Sequence, residues 1–156
     1  EGKYISRDIN KAIYYYSLAA NQNIPEAQFN LGVIYSEGEY ISRDINKAIY
    51  YYSLAANQND PQAQYNLGVI YYEGEYISRD MNKAIYYYSL AANQNDPEAQ
   101  YNLGHIFIES IFVDKNIIKG IDLLIQSSSN RNIKAHFCVG YFYHEGRHVQ
   151  RNIKKI

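Results

Sequence analysis

Apolar residues recur with helical spacing along this chain, and the spacing restarts at short intervals. Between residues 61 and 73, Ala63, Leu67 and Tyr71 fall at i, i+4 and i+8, which places them on one helical face. A second one-sided stripe alternates large and small residues: Ala84, Tyr87, Tyr88, Ala91 and Ala92. Such stripes let two antiparallel helices approach closely and bury their apolar faces against neighbouring pairs. The pattern therefore predicts stacked pairs of helices.

Residues that begin and end helices stand at the edges of these stripes. Asp60 precedes Pro61, and the same two residue types recur at 96–97, an order typical of an N-cap followed by proline at the first helical position. Gly74 is expected to end the first helix in the left-handed conformation. Asp80 is the candidate N-cap of the second helix.

The stripes belong to an internal repeat of 36 residues. The string ISRDINKAIYYYSLAANQN begins at Ile5 and again at Ile41, and it recurs from Ile77 with Met81 in place of an isoleucine. A fixed period of this length indicates a helical solenoid. We predict a second helix over 8–21, followed by three repeats and a partial one: 25–60, 61–96, 97–132 and 133–156.

The second half of the 97–132 repeat diverges from the others. Seven residues replace the Gly, Asp, Ala, paired Tyr and paired Ala of the earlier copies: Ser110, Asn116, Gly120, Leu123, Leu124, Ser127 and Ser128. The replacements at core positions are small or apolar, so we expect the fold to persist there.

The segments AQYNLGVIYYEG at 63–74 and RDMNKAIYYYSLAA at 79–92 resemble the Sel1-like repeat. Tetratricopeptide repeats are related, but they have a period of 34 residues and lack the longer Gly-bounded loop between the helices. The resemblance implies an all-α, right-handed superhelical solenoid of antiparallel helix pairs with a 36-residue period. It also implies a protein-interaction scaffold or adaptor and no enzyme.

Charge and composition exclude several classes of protein. Lys and Arg number 15 against 16 Asp and Glu, for a net charge of -1, so the chain has no electrostatic footprint for nucleic acid. No apolar stretch is long enough to predict direct membrane insertion. The one cysteine, Cys138, excludes an internal disulfide and fits a reducing compartment, which favours a cytoplasmic location. Because the chain opens in an inter-helix loop and stops at Ile156, we expect further repeats or another domain in the full-length protein.

The first helix of each repeat is expected to line the inner surface of the solenoid. At 100° per residue, the positions of Tyr65, Val69 and Tyr72 lie opposite Ala63. The corresponding residues form a predicted groove for a protein, peptide or helix partner, here called the first-helix face: Phe29, Val33, Tyr65, Val69, Tyr72, Tyr101, His105, Phe137 and Tyr141. Aromatic rings suit such a groove because they dominate binding hot spots.

Two alternatives stay open for this face. Neighbouring first helices would cover the rings if the face is packing surface, because monomers avoid large exposed apolar patches. The array would then act as a structural spacer or as a self-associating rod.

One motif suggests chemistry. The residues His144-Glu145-Gly146-Arg147-His148 match HExxH, in which two His on one helical face bind zinc and the Glu acts as base. Gly146 is the copy of Gly74, so it is expected to end the helix and separate the two histidines. A second candidate set of zinc ligands consists of His136, Cys138, His144 and His148. Sequence divergence at surface positions of the repeat explains these residues. A zinc-dependent hydrolase is therefore the remote alternative, and we expect no cofactor and no metal.

Overall fold

The computed structural model describes residues 8–109 and 114–146, and these residues form α-helices and no strand. The helices of the described ranges are α1 (Ile9–Ala20), α2 (Pro25–Glu37), α3 (Ile45–Ala56), α4 (Pro61–Glu73), α5 (Met81–Asn93), α6 (Pro97–Glu109), α7 (Ile117–Ser129) and α8 (Ile133–Glu145). Consecutive helices pack in pairs. The predicted all-α fold of helix pairs with a 36-residue period is confirmed. None of the helices in the described ranges has the length and hydropathy of a membrane span.

The N-caps are those that the sequence predicts. Asp60 Oδ1 accepts a hydrogen bond from the Ala63 amide at 2.7 Å, and Asp80 Oδ1 accepts one from the Lys83 amide at 3.0 Å. In the diverged repeat, Asn116 accepts from the backbone of α7 in the same way. Each cap satisfies an amide that has no partner within its helix.

The helices end in two ways, and the sequence analysis predicted one of them. Gly74 has φ +64, and it follows α4 as predicted. The second helices end differently, at residues that are not glycine yet also have positive φ: Asn23, Asn59, Asn95 and Arg131. After Asn59, the Asp60 amide donates to the Ala55 carbonyl at 3.2 Å. Asparagine tolerates this left-handed conformation better than most residues.

Contacts divide the chain into two compact units, residues 1–64 and 65–156. In the first unit, α2 packs on α3 at a glycine: a Cβ added to Gly32 would lie 2.5 Å from Cδ1 of Tyr52. Beside this contact, the rings of Tyr35 and Tyr51 stack with centroids 5.8 Å apart and an interplanar angle of 4°. Absence of a side chain at Gly32 therefore sets the spacing of the pair.

In the second unit, the α4–α5 pair also packs a glycine against a tyrosine, whereas the α6–α7 pair packs closely without a tyrosine. A Cβ on Gly68 would lie 2.5 Å from Cδ1 of Tyr88. In the diverged pair, Leu124 takes the place of tyrosine, and a Cβ on Gly120 would lie 2.7 Å from the Gly104 carbonyl. The backbones of α6 and α7 thus approach closely, and the predicted persistence of the fold holds for the described part of this repeat. Ser110 lies outside the described residues.

A buried glutamine joins the first helix of the repeats 25–60, 61–96 and 97–132 to the second helix before it. Gln64 is 1% exposed, and its Nε2 donates to the Ala56 carbonyl at 3.2 Å. Gln100 is fully buried, donates to Ala92 at 3.1 Å and accepts from Asn130 Nδ2 at 2.9 Å. The carbonyls at the ends of the second helices are satisfied in this way.

Candidate functional site

The first-helix face is partly covered by the second helices. The Phe29 ring lies 5.8 Å from that of Tyr52, and the Tyr65 ring lies 5.8 Å from that of Tyr88. Both first-helix rings are half-buried, as is Tyr101, whereas Phe137 is 75% exposed. Three of these four rings therefore take part in packing within the array.

The remaining predicted residues differ in exposure along the chain. Val33, Val69 and His105 are half-buried. Tyr72 is 40% exposed and Tyr141 47% exposed. Exposed aromatic surface on this face is thus concentrated in the unit 65–156.

A polar cluster joins α6 to α8 within that unit. The rings of Tyr101 and His105 meet edge to face with centroids 4.6 Å apart. Cys138 Sγ lies 3.6 Å from His105 Nε2, and Lys134 Nζ lies 5.8 Å from the Tyr101 ring centroid. On the other side of the imidazole, Glu109 Oε2 lies 3.7 Å from Nδ1. The cluster offers hydrogen-bonding groups at the side of an aromatic surface.

Burial raises the pKa values of several phenols and of the thiol in this unit. It raises the pKa of Tyr101 and that of the Cys138 thiol. Burial also raises the pKa of Tyr65 and raises that of Tyr88 further, while a hydrogen bond from the Asn102 side chain opposes part of the shift. These shifts favour the neutral forms of the thiol and the phenols, which can take part in hydrogen bonds.

The zinc motif falls only partly on described residues. Gly146 has φ +64 and follows the end of α8 at Glu145, as the repeat register predicts. His144 is largely exposed, and its Nδ1 lies 3.4 Å from Glu145 Oε1. Arg147 and His148 lie outside the described residues. Within residues 8–109 and 114–146, no three His, Cys, Asp or Glu side chains are grouped so as to hold a metal ion.

Sequence reasoning placed Tyr88 on the core stripe of the second helix but missed that Tyr52 and Tyr88 contact rings of the first-helix face. Tyr52 and Tyr88 are 2% and 1% exposed, whereas the two tyrosines before each of them in the YYY run are more exposed. The signal was present, since the third tyrosine lies 20 residues after Gly32 or Gly68 in every intact pair. The hydrogen bonds of the Asn102 side chain with Tyr65 and Tyr88 had no comparable signal in the sequence.

Comparison with known proteins places the repeats in a family. The chain matches the Sel1 repeat in five consecutive segments: 1–24, 25–60, 61–96, 97–132 and 133–155. No curated protein sequence matches it.

Three solved structures with the same fold come from bacteria. A Sel1 repeat protein from Oxalobacter formigenes is 32% identical with a TM-score of 0.84, over 94% of this chain and 60% of that one. A protective antigen of uropathogenic Escherichia coli strains, which displays an SLR fold, is 30% identical with a TM-score of 0.86, over 93% and 31%. Cysteine rich protein B of Helicobacter pylori is 25% identical with a TM-score of 0.65, over 88% and 99%. This chain therefore spans 60% and 31% of the first two proteins.

Proposed function

Because the chain belongs to the Sel1 repeat family, we propose that it is a non-catalytic scaffold or adaptor that binds a peptide or a helix on the first-helix face. Sel1 repeats generally serve as protein-interaction scaffolds, and the family is typically non-catalytic. The proposal adds a location and a partner class to that general role.

The supporting observation is the exposure of aromatic side chains on the first helices of the unit 65–156. Tyr72 of α4 is 40% exposed, and Phe137 and Tyr141 of α8 are 75% and 47% exposed. Rings of this kind give a large contact area at low entropic cost, and they are enriched among hot spots. Tyr101 and His105 of α6 contact residues of α8 and provide hydrogen-bonding groups that would orient a bound segment. In the unit 1–64, the corresponding residues are Phe29 and Val33.

The test uses a peptide ligand selected on the native chain. Peptides would be selected from a displayed random library, and their affinity would be measured by fluorescence anisotropy. The double variant Tyr72→Ser, Tyr141→Ser removes two exposed rings, of which that of Tyr72 also lies 6.4 Å from the ring of buried Tyr88, so thermal unfolding of the variant is measured alongside its affinity. We expect its affinity for the selected peptides to fall by at least about tenfold, as when a hot-spot residue is truncated.

The matched control removes two exposed tyrosines from second helices. Tyr50 and Tyr86 are 59% and 58% exposed, so Tyr50→Ser, Tyr86→Ser makes the same chemical change away from the proposed face. It should bind the peptides with native affinity. Equal affinities for both double variants would reject the first-helix face as the binding site and would leave the structural spacer as the better account.

A further inference from the structure

The first helices α4 and α6 carry negative charge. Their sequences contain three glutamates and no aspartate, lysine or arginine. These glutamates, Glu73, Glu98 and Glu109, are all exposed. The second helices of the same unit, α5 and α7, each have a lysine near their start, at Lys83 and Lys119. Negative charge therefore accompanies the helices that form the first-helix face.

The three carboxylates lie close to the rings of that face. Burial is the main cause of the raised pKa of Tyr65, and the negative charges of Glu98 and Glu73 raise it further. Burial also raises the pKa of Tyr101, and Glu109 and Glu98 act on it in the same direction. A carboxylate has this effect on a phenol when it lies nearby, because a like charge disfavours the phenolate. Glu73, Glu98 and Glu109 are here called the acidic border of the first-helix face.

Two residues of the acidic border stand where a helix disfavours negative charge. Glu73 and Glu109 are the last residues of α4 and α6, and neither helix has a basic residue in its last turn. The helix macrodipole gives this end a partial negative charge, which repels a carboxylate and attracts a cation. Because both side chains are exposed, packing does not require a carboxylate at either position. Such departures from local preference are expected at functional sites.

The rings of the same face already contact cations of the chain. Arg79 Cζ lies 5.7 Å from the ring centroid of Tyr72, and Lys134 Nζ lies 5.8 Å from that of Tyr101. An aromatic ring attracts a cation through the negative charge on its face. Guanidinium and ammonium groups therefore both fit against this face, beside carboxylates that attract them.

We propose that the segment bound on the first-helix face of the unit 65–156 is basic, with Lys or Arg side chains that pair with Glu73 and Glu109 and apolar side chains that contact the rings. This proposal rests on the proposed function and adds the charge of the partner to it. An acidic segment would be repelled at the ends of both helices, so the acidic border also selects against the wrong partner.

The composition of selected peptides tests the sign of the charge. Peptides are selected from a displayed random library on the native chain, and their sequences are compared with the unselected library. We expect an excess of Lys and Arg over Asp and Glu among the selected peptides. Their affinity should also fall as NaCl is raised from about 50 to about 500 mM, because salt screens exposed ion pairs. Selected peptides with neutral or negative net charge would overturn the proposal.

Reversing two charges separates binding from folding. In the double variant Glu73→Lys, Glu109→Lys, a cation replaces a carboxylate at each helix end, so thermal unfolding should stay at the native temperature or shift upward. We expect the affinity for the selected basic peptides to fall by about tenfold or more, because two attractive pairs become repulsive. The same library selected on this variant should yield acidic peptides. Native affinity of the variant for the basic peptides would contradict the proposal.

The matched control reverses two exposed carboxylates outside the face. Asp114 precedes α7 and Asp122 lies within it, and both are exposed. Asp114→Lys, Asp122→Lys therefore makes the same change in net charge at a distance from the proposed pairs. This variant should bind the basic peptides with nearly native affinity. A loss as large as that of the Glu73, Glu109 variant would assign the effect to the net charge of the chain and reject the specific pairs.

The tyrosine variant distinguishes this proposal from the proposed function. If Tyr72→Ser, Tyr141→Ser weakens peptide binding and the reversal at Glu73 and Glu109 does not, the first-helix face stands as the site and the basic partner is rejected. If the charge reversal weakens binding and the tyrosine variant binds with native affinity, the basic partner stands and the aromatic site is rejected. Fluorescence anisotropy with the same labelled peptides measures both variants.

Discussion

At the scale of the residue, two helices can pack closely because glycine has a single hydrogen in place of a side chain. Gly68 faces the Tyr88 ring, and a Cβ there would lie 2.5 Å from Cδ1. Gly140 occupies the same repeat position on α8, and a Cβ added there would meet no heavy atom of the described residues within 4 Å. Both have helical backbones, so the difference between them lies in packing and not in conformation. The pair gives a matched comparison within one chain.

We expect Gly68→Ala to lower the free energy of unfolding by about 1–3 kcal/mol. Overpacking against a buried ring outweighs the better helix propensity of alanine, which is about 1 kcal/mol. Gly140→Ala should instead raise the free energy of unfolding by up to about 1 kcal/mol, because only the propensity changes. Urea unfolding followed by circular dichroism measures the free energy of unfolding of both variants, at a protein concentration low enough to keep the chain monomeric. Effects of the same sign would show that Tyr88 moves aside without cost.

At the scale of the element, local signals predict where helices begin better than where they end. Asp60, Asp80 and the proline at position 61 are capping residues with a direct mechanism, and the helices start where they predict. The second helices end at asparagines such as Asn95, with φ +64. That ending was missed because asparagine has no preference as exclusive as that of glycine for this conformation.

Local sequence signals are also insufficient to predict the exposure of the first-helix face. The helical wheel correctly gives the angle of Tyr65 relative to Ala63. It carries no information on what lies above that side, and in the folded chain Tyr88 contacts the Tyr65 ring. The exposure of a side chain depends on the neighbouring helix. The helical-wheel angle therefore predicted candidate residues for the site but could not predict which of them are accessible.

Substitutions at Asn95 test the left-handed ending of α5. We expect Asn95→Gly to change the free energy of unfolding by no more than a few tenths of a kcal/mol, since glycine adopts positive φ without strain. Asn95→Val should lower it by about 1–2 kcal/mol, because a β-branched residue is strained there. Asn93→Val is the control, because Asn93 is an exposed helical residue. A loss at Asn93 as large as that at Asn95 would attribute the effect to β-branching alone.

At the scale of the whole molecule, the repeat makes the fold predictable, because each pair uses the same contacts as the pair before it. The α2–α3 pair meets through Gly32 and Tyr52, and the α4–α5 pair meets through Gly68 and Tyr88. Residues that recur every 36 positions are thereby assigned to packing. The same regularity makes binding residues hard to identify from the sequence, because they recur with the same 36-residue period as the packing residues.

Exact repetition predicts that one period can be removed. Deleting residues 38–73 joins Glu37 to Gly74, which is the copy of Gly38, so α2 would pair with α5 through Gly32 and Tyr88. We expect a helical, cooperatively unfolding chain with a smaller urea m-value, because less surface is buried. The control deletion, residues 38–71, is two residues shorter than one period and places Tyr72 where Gly74 is needed to end the helix. Circular dichroism and urea unfolding should therefore separate a folded in-register deletion from a destabilised out-of-register one. Equal stability of the two would mean that the 36-residue register does not control pairing.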